Sequence, residues 1–271
     1  MISIITPVFK GAKFIKSCIE SVASQYFEGL EHLIMDGGSP DGTAEIVKEL
    51  MLKYPHIRLV SEPDKGQSDA MNKGIHLASN PVISFLNADD RYEPGALALA
   101  RDFFKTAPNN SFLLGNCKVI DEDGSLYMIN KPWPFDRVAF MLDYLFPYNP
   151  SAYFYHRSLH DKVGFYAVED HLTMDIDFLF RLKGKAKVFY VDEILGNYWM
   201  LPESKTMQEI SAGRNVENLK LVFQKYLPEL SIDEKFRYYF QKMLGKNRGW
   251  MKYYLQNPGQ VFSQLFRKFS R

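Results

Sequence analysis

The stretch PVISFLNADDRYEPG, residues 81–95, sets an apolar run directly against two carboxylates. Val82 to Leu86 read as a buried strand, being short, apolar and rich in β-branched and aromatic residues. Asn87, Ala88, Asp89 and Asp90 follow with no spacer. A desolvated carboxylate is costly unless something pairs with it. Either these groups form an Asx-turn that opens the next loop, or they hold a cation.

Working outward, strand and helix patterns alternate through the first hundred residues. Strands are expected at 2–9 (ISIITPVF), 30–36 (LEHLIMD), 57–63 (IRLVSEP) and 81–87. Helical spacing follows each: Phe14, Ile15, Cys18, Ile19 and Val22, then 39–54, 66–79 and 94–106. Ser39 before Pro40, with acids in the first turn, is an N-terminal signature for the second helix. The alternation predicts an α/β fold, a mostly parallel sheet with helices on both faces. After residue 110 the pattern changes. SFLLGNCKVID and SLYMIN flank EDG and predict an antiparallel hairpin. Helices are expected at 135–146 and 174–185, a short strand at 151–155, and two strands in KVFYV and LGNYWM. From about Lys205 onward helices dominate. Repeats and low-complexity linkers are absent from the sequence.

Composition places the chain among ordinary globular proteins, with 46% apolar and 24% charged residues in a length of 271. That length is long for one simple domain and short for two. Cys18 and Cys117 are far apart and read as buried thiols of a reducing compartment rather than a disulfide framework. The sequence shows no signal peptide and no run of the roughly 18 apolar residues a membrane span requires, so a cytoplasmic protein is expected. The net charge of +1 hides an asymmetry: residues 235–271 carry nine Lys/Arg and no Asp or Glu, leaving 24 basic and 32 acidic residues, a net of −8, in the other 234. An acidic body carrying a basic end bears on partners.

In open parallel sheets ligands bind outside the carboxyl ends of the strands. Here those ends read Thr6-Pro7-Val8-Phe9, Asp36, Glu62-Pro63-Asp64-Lys65-Gly66 and Asn87-Ala88-Asp89-Asp90. Four polar endings on one edge point to a site. Asp36 opens DGGSPDGT, which is either a turn with a helix cap or a carboxylate that accepts a base N–H beside glycines that let a flat ligand approach. For NADD, in the context of the other endings, a divalent cation is preferred, because Mg²⁺ or Mn²⁺ takes one or two carboxylates and leaves positions for phosphate oxygens. In TMDIDFLFRL, residues 173–182, Asp175 and Asp177 are either first-turn acids favoured by the helix dipole or supply a general base.

In order along the chain, ISIITPVFKGAKFIKSCIESVASQ, HLIMDGGSPDGT, SEPDKGQSDAMNKGI, FLNADD and MDIDFLFRL resemble the family 2 inverting glycosyltransferases with a GT-A-type fold, in the bacterial cell-surface polysaccharide branch. The match covers roughly residues 1–206. It implies a GT-A catalytic domain over 1–206, with a nucleotide-sugar half (1–110) and an acceptor half (111–206), and a helical, basic, aromatic extension over 207–271. It implies a nucleotide-diphospho-sugar donor, UDP-linked, and Mn²⁺ or Mg²⁺. By the same resemblance Thr6, Pro7 and Phe9 line the nucleoside site and Asp36 contacts the uracil. Asp64, Lys65 and Asp69 lie near the base and diphosphate. Asn87, Ala88 and Asp89 match the Asp-x-Asp motif, with Asp89 on the metal, and Asp175 matches the base that deprotonates an acceptor hydroxyl. The acceptor would be a glycan or a lipid-linked saccharide.

Four positions depart from the pattern. Asn87 stands where many relatives have Asp, Gly37 replaces a second Asp of the uracil loop, and Trp199 and Leu201 replace polar residues of a loop that approaches the diphosphate. Acceptor recognition is expected in KPWPFD (131–136), FPYNPSAYFYHR (146–157) and AVEDHLT (167–173), with Phe154 and Phe165 assigned to the core and His156 and His171 to structural roles. The basic end is either a packed helical extension or, with Trp250, Tyr253, Tyr254, Phe262, Phe266 and Phe269, a peripheral contact with an anionic membrane. Nucleic acid ranks last, for want of a motif and because the body is acidic. A sugar nucleotidyltransferase and a degenerate, non-catalytic binding subunit are the alternatives.

Overall fold

β1 (Ile2–Val8) is buried along its whole length, as a strand covered on both faces must be. It pairs in parallel with β2 (Leu30–Asp36) on one side and β4 (Val82–Phe85) on the other, and β2 pairs in parallel with β3 (Ile57–Ser61). The computed structural model describes residues 1–170, 172–212 and 215–243. Among the described residues the sheet has nine strands in the order β3-β2-β1-β4-β8-β6-β9-β5, with β7 beside β6. β8 (Tyr153–His156) runs antiparallel to β4 and to β6 (Ser111–Ile120), and β9 (Lys187–Trp199) runs parallel to β6. β7 (Leu126–Asn130) closes the expected hairpin on β6.

Alternation along β1 sends side chains to two different cores. Ile2 and Ile4 meet Cys18 and Val22 of α1 (Ile15–Ala23) and Leu97 and Ala100 of α4 (Ala96–Phe104). Val8, Ile15, Ile19, Ile34 and Val47 of α2 (Thr43–Lys53) form the neighbouring cluster. Ile5 points the other way, toward α3 (Gln67–Leu77). There Gly74 allows contact that a Cβ would block, since one would sit 2.4 Å from an Ile5 methyl.

Several boundaries differ from the sequence pattern. α2 begins at Thr43, not Ser39. Gly42 takes φ 88° just before the helix, and the Asp41 carboxylate accepts from Thr43 N at 3.2 Å, so SPDG is a loop. KVFYV and LGNYWM are one strand, because β9 follows β6 through register shifts between Leu114 and Cys117. β5 (Arg91–Tyr92) and α6 (Leu159–Val163) are too short to show a period in sequence. Phe165 is exposed and lies on His76 and His160, whereas Phe154 is in the core as expected. Cys18 and Cys117 are free and buried.

The chain divides into two compact units, Met1–Lys131 with Pro147–Val222, and Pro132–Phe146 with Phe223–Arg271. In the second, α5 (Arg137–Asp143) meets α10 (Ile232–Met243) through a buried Arg137–Glu234 ion pair at 2.8 Å. Among the described residues no helix is long and apolar enough to cross a membrane. His171 and the basic, aromatic segment from residue 244 on lie outside the described residues.

Candidate active site

The order of the parallel strands reverses at β1, which has β2 on one side and β4 on the other. A crevice at such a switch point, outside the carboxyl ends, is where this architecture binds ligands. Register brings Val8, Asp36 and Ser61 level across β1, β2 and β3. At this edge Phe9 is exposed and Pro7 is buried. The Thr6 side chain is turned into the core, its hydroxyl 2.9 Å from His32 Nε2. Ala88 likewise packs into the cluster around Val8. For Thr6 and Ala88, contact with a ligand is therefore left to the main chain.

Asp36 is buried, with its carboxylate held by Ser61 Oγ at 2.6 Å and by Ser39 N at 3.2 Å. The following Gly37 has a steric reason. A Cβ there would lie 2.6 Å from Asp64 Oδ2, so the absence of a second Asp at 37 is what lets Asp64 approach the β2 end. Asp64 accepts from Gly66 N at 2.8 Å, and Gly66 adopts φ 111°. Asp69 accepts from Lys65 N at 3.0 Å and meets Lys73 at 3.5 Å, while the Lys65 side chain is exposed. Asp36, Asp64 and Asp69 thus shape the loops of one edge.

Asn87 is explained by its neighbour. Its Nδ2 donates to Asp90 Oδ2 at 3.0 Å and its Oδ1 accepts from Gln67 Nε2 at 3.1 Å, which fixes the amide orientation. An Asp at 87 would lose the donor and oppose a second carboxylate. Asp90 is fully enclosed and also accepts from Asn149 Nδ2 at 2.6 Å and Trp199 N at 3.3 Å. Burial, and then the charge of Asp89, hold its carboxyl well above the usual range. Asp90 ties the NADD turn to the 149 turn and to β9, and Asp89 is the carboxylate left over. Asp89 is partly buried and has no cation paired to it among the described contacts. Desolvation raises its pKa, and Glu203 adds to the rise. Glu203, which sequence reasoning missed, pairs with Lys13 at 2.6 Å. Oxygen donors of this kind fit Mg²⁺ or Mn²⁺ with phosphate completing the shell. Among the described residues no group of three or more His, Cys, Asp or Glu is placed to hold a metal without such help. The Trp199 ring carries the Arg91 guanidinium at 4.9 Å, so a cation stands at this loop although 199 itself is not polar.

α7 (Met174–Arg181) presents Asp175 and Asp177 in its first turn. Their environments separate them. Asp177 is paired to Arg181 at 2.8 Å, and that arginine also binds the carbonyls of Val163, Gly164 and Phe165. Asp175 accepts from Ile176 N at 2.9 Å, and desolvation lifts its carboxyl to about 6. Two buried phenols, Tyr153 and Tyr166, feel its charge. The consecutive residues Gln67 and Ser68 at the start of α3 join the two carboxylate segments. Gln67 bonds Asn87, and Ser68 Oγ donates to the Asp170 carbonyl at 2.7 Å and contacts Met174 Sδ. Asn72 extends the clamp, exchanging two bonds with the main chain of Tyr166. Sequence spacing gave no sign of these α3 links. In the region expected to meet an acceptor, Trp133 and Tyr148 are exposed, and His156 Nδ1 accepts from Ser111 N at 3.1 Å in a structural role.

A comparison with protein families matches residues 3–164 to "Glycosyl transferase family 2". A PGL/p-HBAD biosynthesis glycosyltransferase of Mycobacterium bovis is 33% identical over 189 residues, 67% of this chain and 69% of that protein. Chondroitin synthase of Escherichia coli is 32% identical over 134 residues, 49% of this chain, and the match spans only 20% of that longer protein. Among solved structures, S. aureus TarS 1-349 in complex with UDP-GlcNAc superposes with a TM-score of 0.60 at 17% identity, covering 88% of this chain and 78% of that one. Mannosyltransferase PcManGT from Pyrobaculum calidifontis, in complex with GDP-Man and Mn2+, gives 0.58 at 13% identity, with coverage of 98% and 87%. These likenesses in structure concern the fold, which is of the GT-A type. The family match covers more than half of the sequence: the chain belongs to glycosyl transferase family 2.

Proposed function

We propose that the chain transfers a sugar, with inversion, from a nucleotide-diphospho-sugar, a UDP-sugar, to a hydroxyl of a glycan or lipid-linked glycan. The observation that carries the reading is the contrast between Asp175 and its neighbours. It is the carboxylate of the α7 turn that has no ion pair among the described residues, and its proton affinity is tuned to about 6, suited to taking a proton near neutral pH. The acceptor O–H gives its proton to Asp175, the oxygen attacks the anomeric carbon, and the bond from that carbon to the diphosphate breaks with its electron pair leaving on phosphate oxygen. Asp89 would hold a divalent cation, with Glu203 nearby, and the cation would supply charge stabilisation for the departing diphosphate. The β1–β4 crevice takes the nucleoside, with Phe9 offering an exposed ring and Asp36 and Asp64 bordering the base.

Calorimetric titration of UDP, GDP and dTDP, with and without Mn²⁺, tests this. One nucleotide should bind tightly with the ion and at least tenfold more weakly without it, and Asp89→Ala should erase the difference. Absence of binding by all three would favour a non-catalytic subunit instead.

A further inference from the structure

α10 packs inside out. At about 100° per residue, Ile232, Phe236, Tyr239 and Phe240 fall within an arc of about 100°, the width by which an ordinary helix faces its core. Here that stripe is turned to solvent: the four residues are 89%, 68%, 56% and 47% exposed, and the rings of Phe236 and Phe240 stack at 5.8 Å. The opposite side does the packing, and its most deeply buried residue is charged. Glu234 is 1% exposed, pairs with Arg137 and accepts from Ser231 N at 2.9 Å. Cations border the stripe. Lys235 and Lys242 share one flank, and Arg237, paired to Asp136 at 2.8 Å, stands on the other. An apolar strip four side chains long is a poor surface to leave in water. The exposed Asp233 stands in the first turn of α10, only cations follow Glu234 along the helix (Lys235, Arg237 and Lys242), and the sequence from 235 to 271 holds nine Lys/Arg and no acid, which favours an anionic partner.

We propose that the outward face of α10 docks on an anionic lipid surface. Phe236, Tyr239 and Phe240 enter the interfacial layer, and Lys235 and Lys242 meet headgroup phosphates. Aromatic rings with basic flanks are the composition such interfacial helices use. A lipid surface accommodates the stripe as it stands, since Glu234 on the packed side is already satisfied by Arg137 and Ser231.

The test is flotation of the full chain with phosphatidylcholine vesicles, with and without roughly a third phosphatidylglycerol. The chain should float with the anionic vesicles, and less so at high salt. Phe236→Ser with Phe240→Ser should lower partition roughly tenfold or more with no change in thermal melting, because both positions are exposed. Lys235→Glu with Lys242→Glu should remove the preference for anionic lipid. Unchanged flotation of the Phe236→Ser/Phe240→Ser protein overturns the proposal, as does failure of the unsubstituted chain to float. A fall in sedimentation coefficient on the same substitutions, without vesicles, also overturns it and makes the face a contact between copies. Nucleotide titration of these variants reads the donor site separately, so failure of one proposal is distinct from failure of the other.

Discussion

Asp175→Asn separates two consequences of placing a carboxylate where water is scarce. Desolvation lifts its proton affinity from an ordinary 3.8 to about 6. A tenfold change in proton affinity is worth about 1.4 kcal/mol, so the ionised side chain lowers folding stability at pH 7 by about 3 kcal/mol. The sign follows from proton counts. Between pH 3.8 and about 6 the folded chain keeps this proton and the unfolded chain has lost it. The destabilisation is therefore absent below that window, grows through it, and is complete above it. Asparagine has the same shape, is neutral, and still accepts from Ile176 N through Oδ1. Its bond there is weaker than the carboxylate's, so the expected net gain at neutral pH is about 1–3 kcal/mol, a rise of several degrees in Tm. Transfer should fall about 10²–10⁴-fold, while nucleotide affinity stays unchanged. The assays are thermal melts from pH 4 to 8 and nucleotide release from the donor in the presence of acceptor. The stability gap between the two proteins should close as pH falls through 6. The wild-type rate should decline over the same range. A variant that transfers at the wild-type rate, or one less stable than wild type at pH 7, would refute the reasoning.

Two further substitutions test the departures from the family pattern. Asn87→Asp removes the donor to Asp90 and sets a second carboxyl group about 3 Å from the enclosed one. It should cost about 2–4 kcal/mol in a urea titration and should not tighten Mn²⁺-dependent nucleotide binding. Gly37→Asp places a Cβ 2.6 Å from the Asp64 carboxylate. It should cost about 1–3 kcal/mol and weaken nucleotide binding, and adding Asp64→Gly should restore most of the stability.

The parallel half of the sheet was legible because short, largely apolar runs alternate with helical periods, from Ile2 through Ala100. The strand ends were legible because a parallel order puts them on one edge. What the pattern could not show is how a polar side chain is satisfied there. Thr6 and Asp36 look alike in sequence as polar ends of buried strands, yet Thr6 turns inward to His32 while Asp36 closes on Ser39 and Ser61. Asp175 and Asp177 are two residues apart on one helix, and only the position of Arg181 one turn later, with the carbonyls it anchors, separates them. β5 and α6 escaped because two and five residues carry no measurable period. Glu203 escaped because its proximity to Asp89 depends on how the chain returns after β9.

Asn87 and Gly37 first read as losses of acidic groups from the site, and Asn87, with Leu201, was the support for a degenerate protein. The contacts reverse that argument. At each position the absent carboxylate would have stood against another carboxylate that is present: Asp90 in one case, Asp64 in the other. Asp90 needs donors because it is enclosed, and Asn87 is one of the three groups that supply them. With Asp90 satisfied internally, Asp89 has no paired cation among the described residues at the end of β4, which is the condition under which an incoming divalent ion gains most from it. Asn at 87 therefore leaves Asp89 available for the cation proposed above. The two departures are consequences of how this chain supports its site, and they weigh for a working transferase.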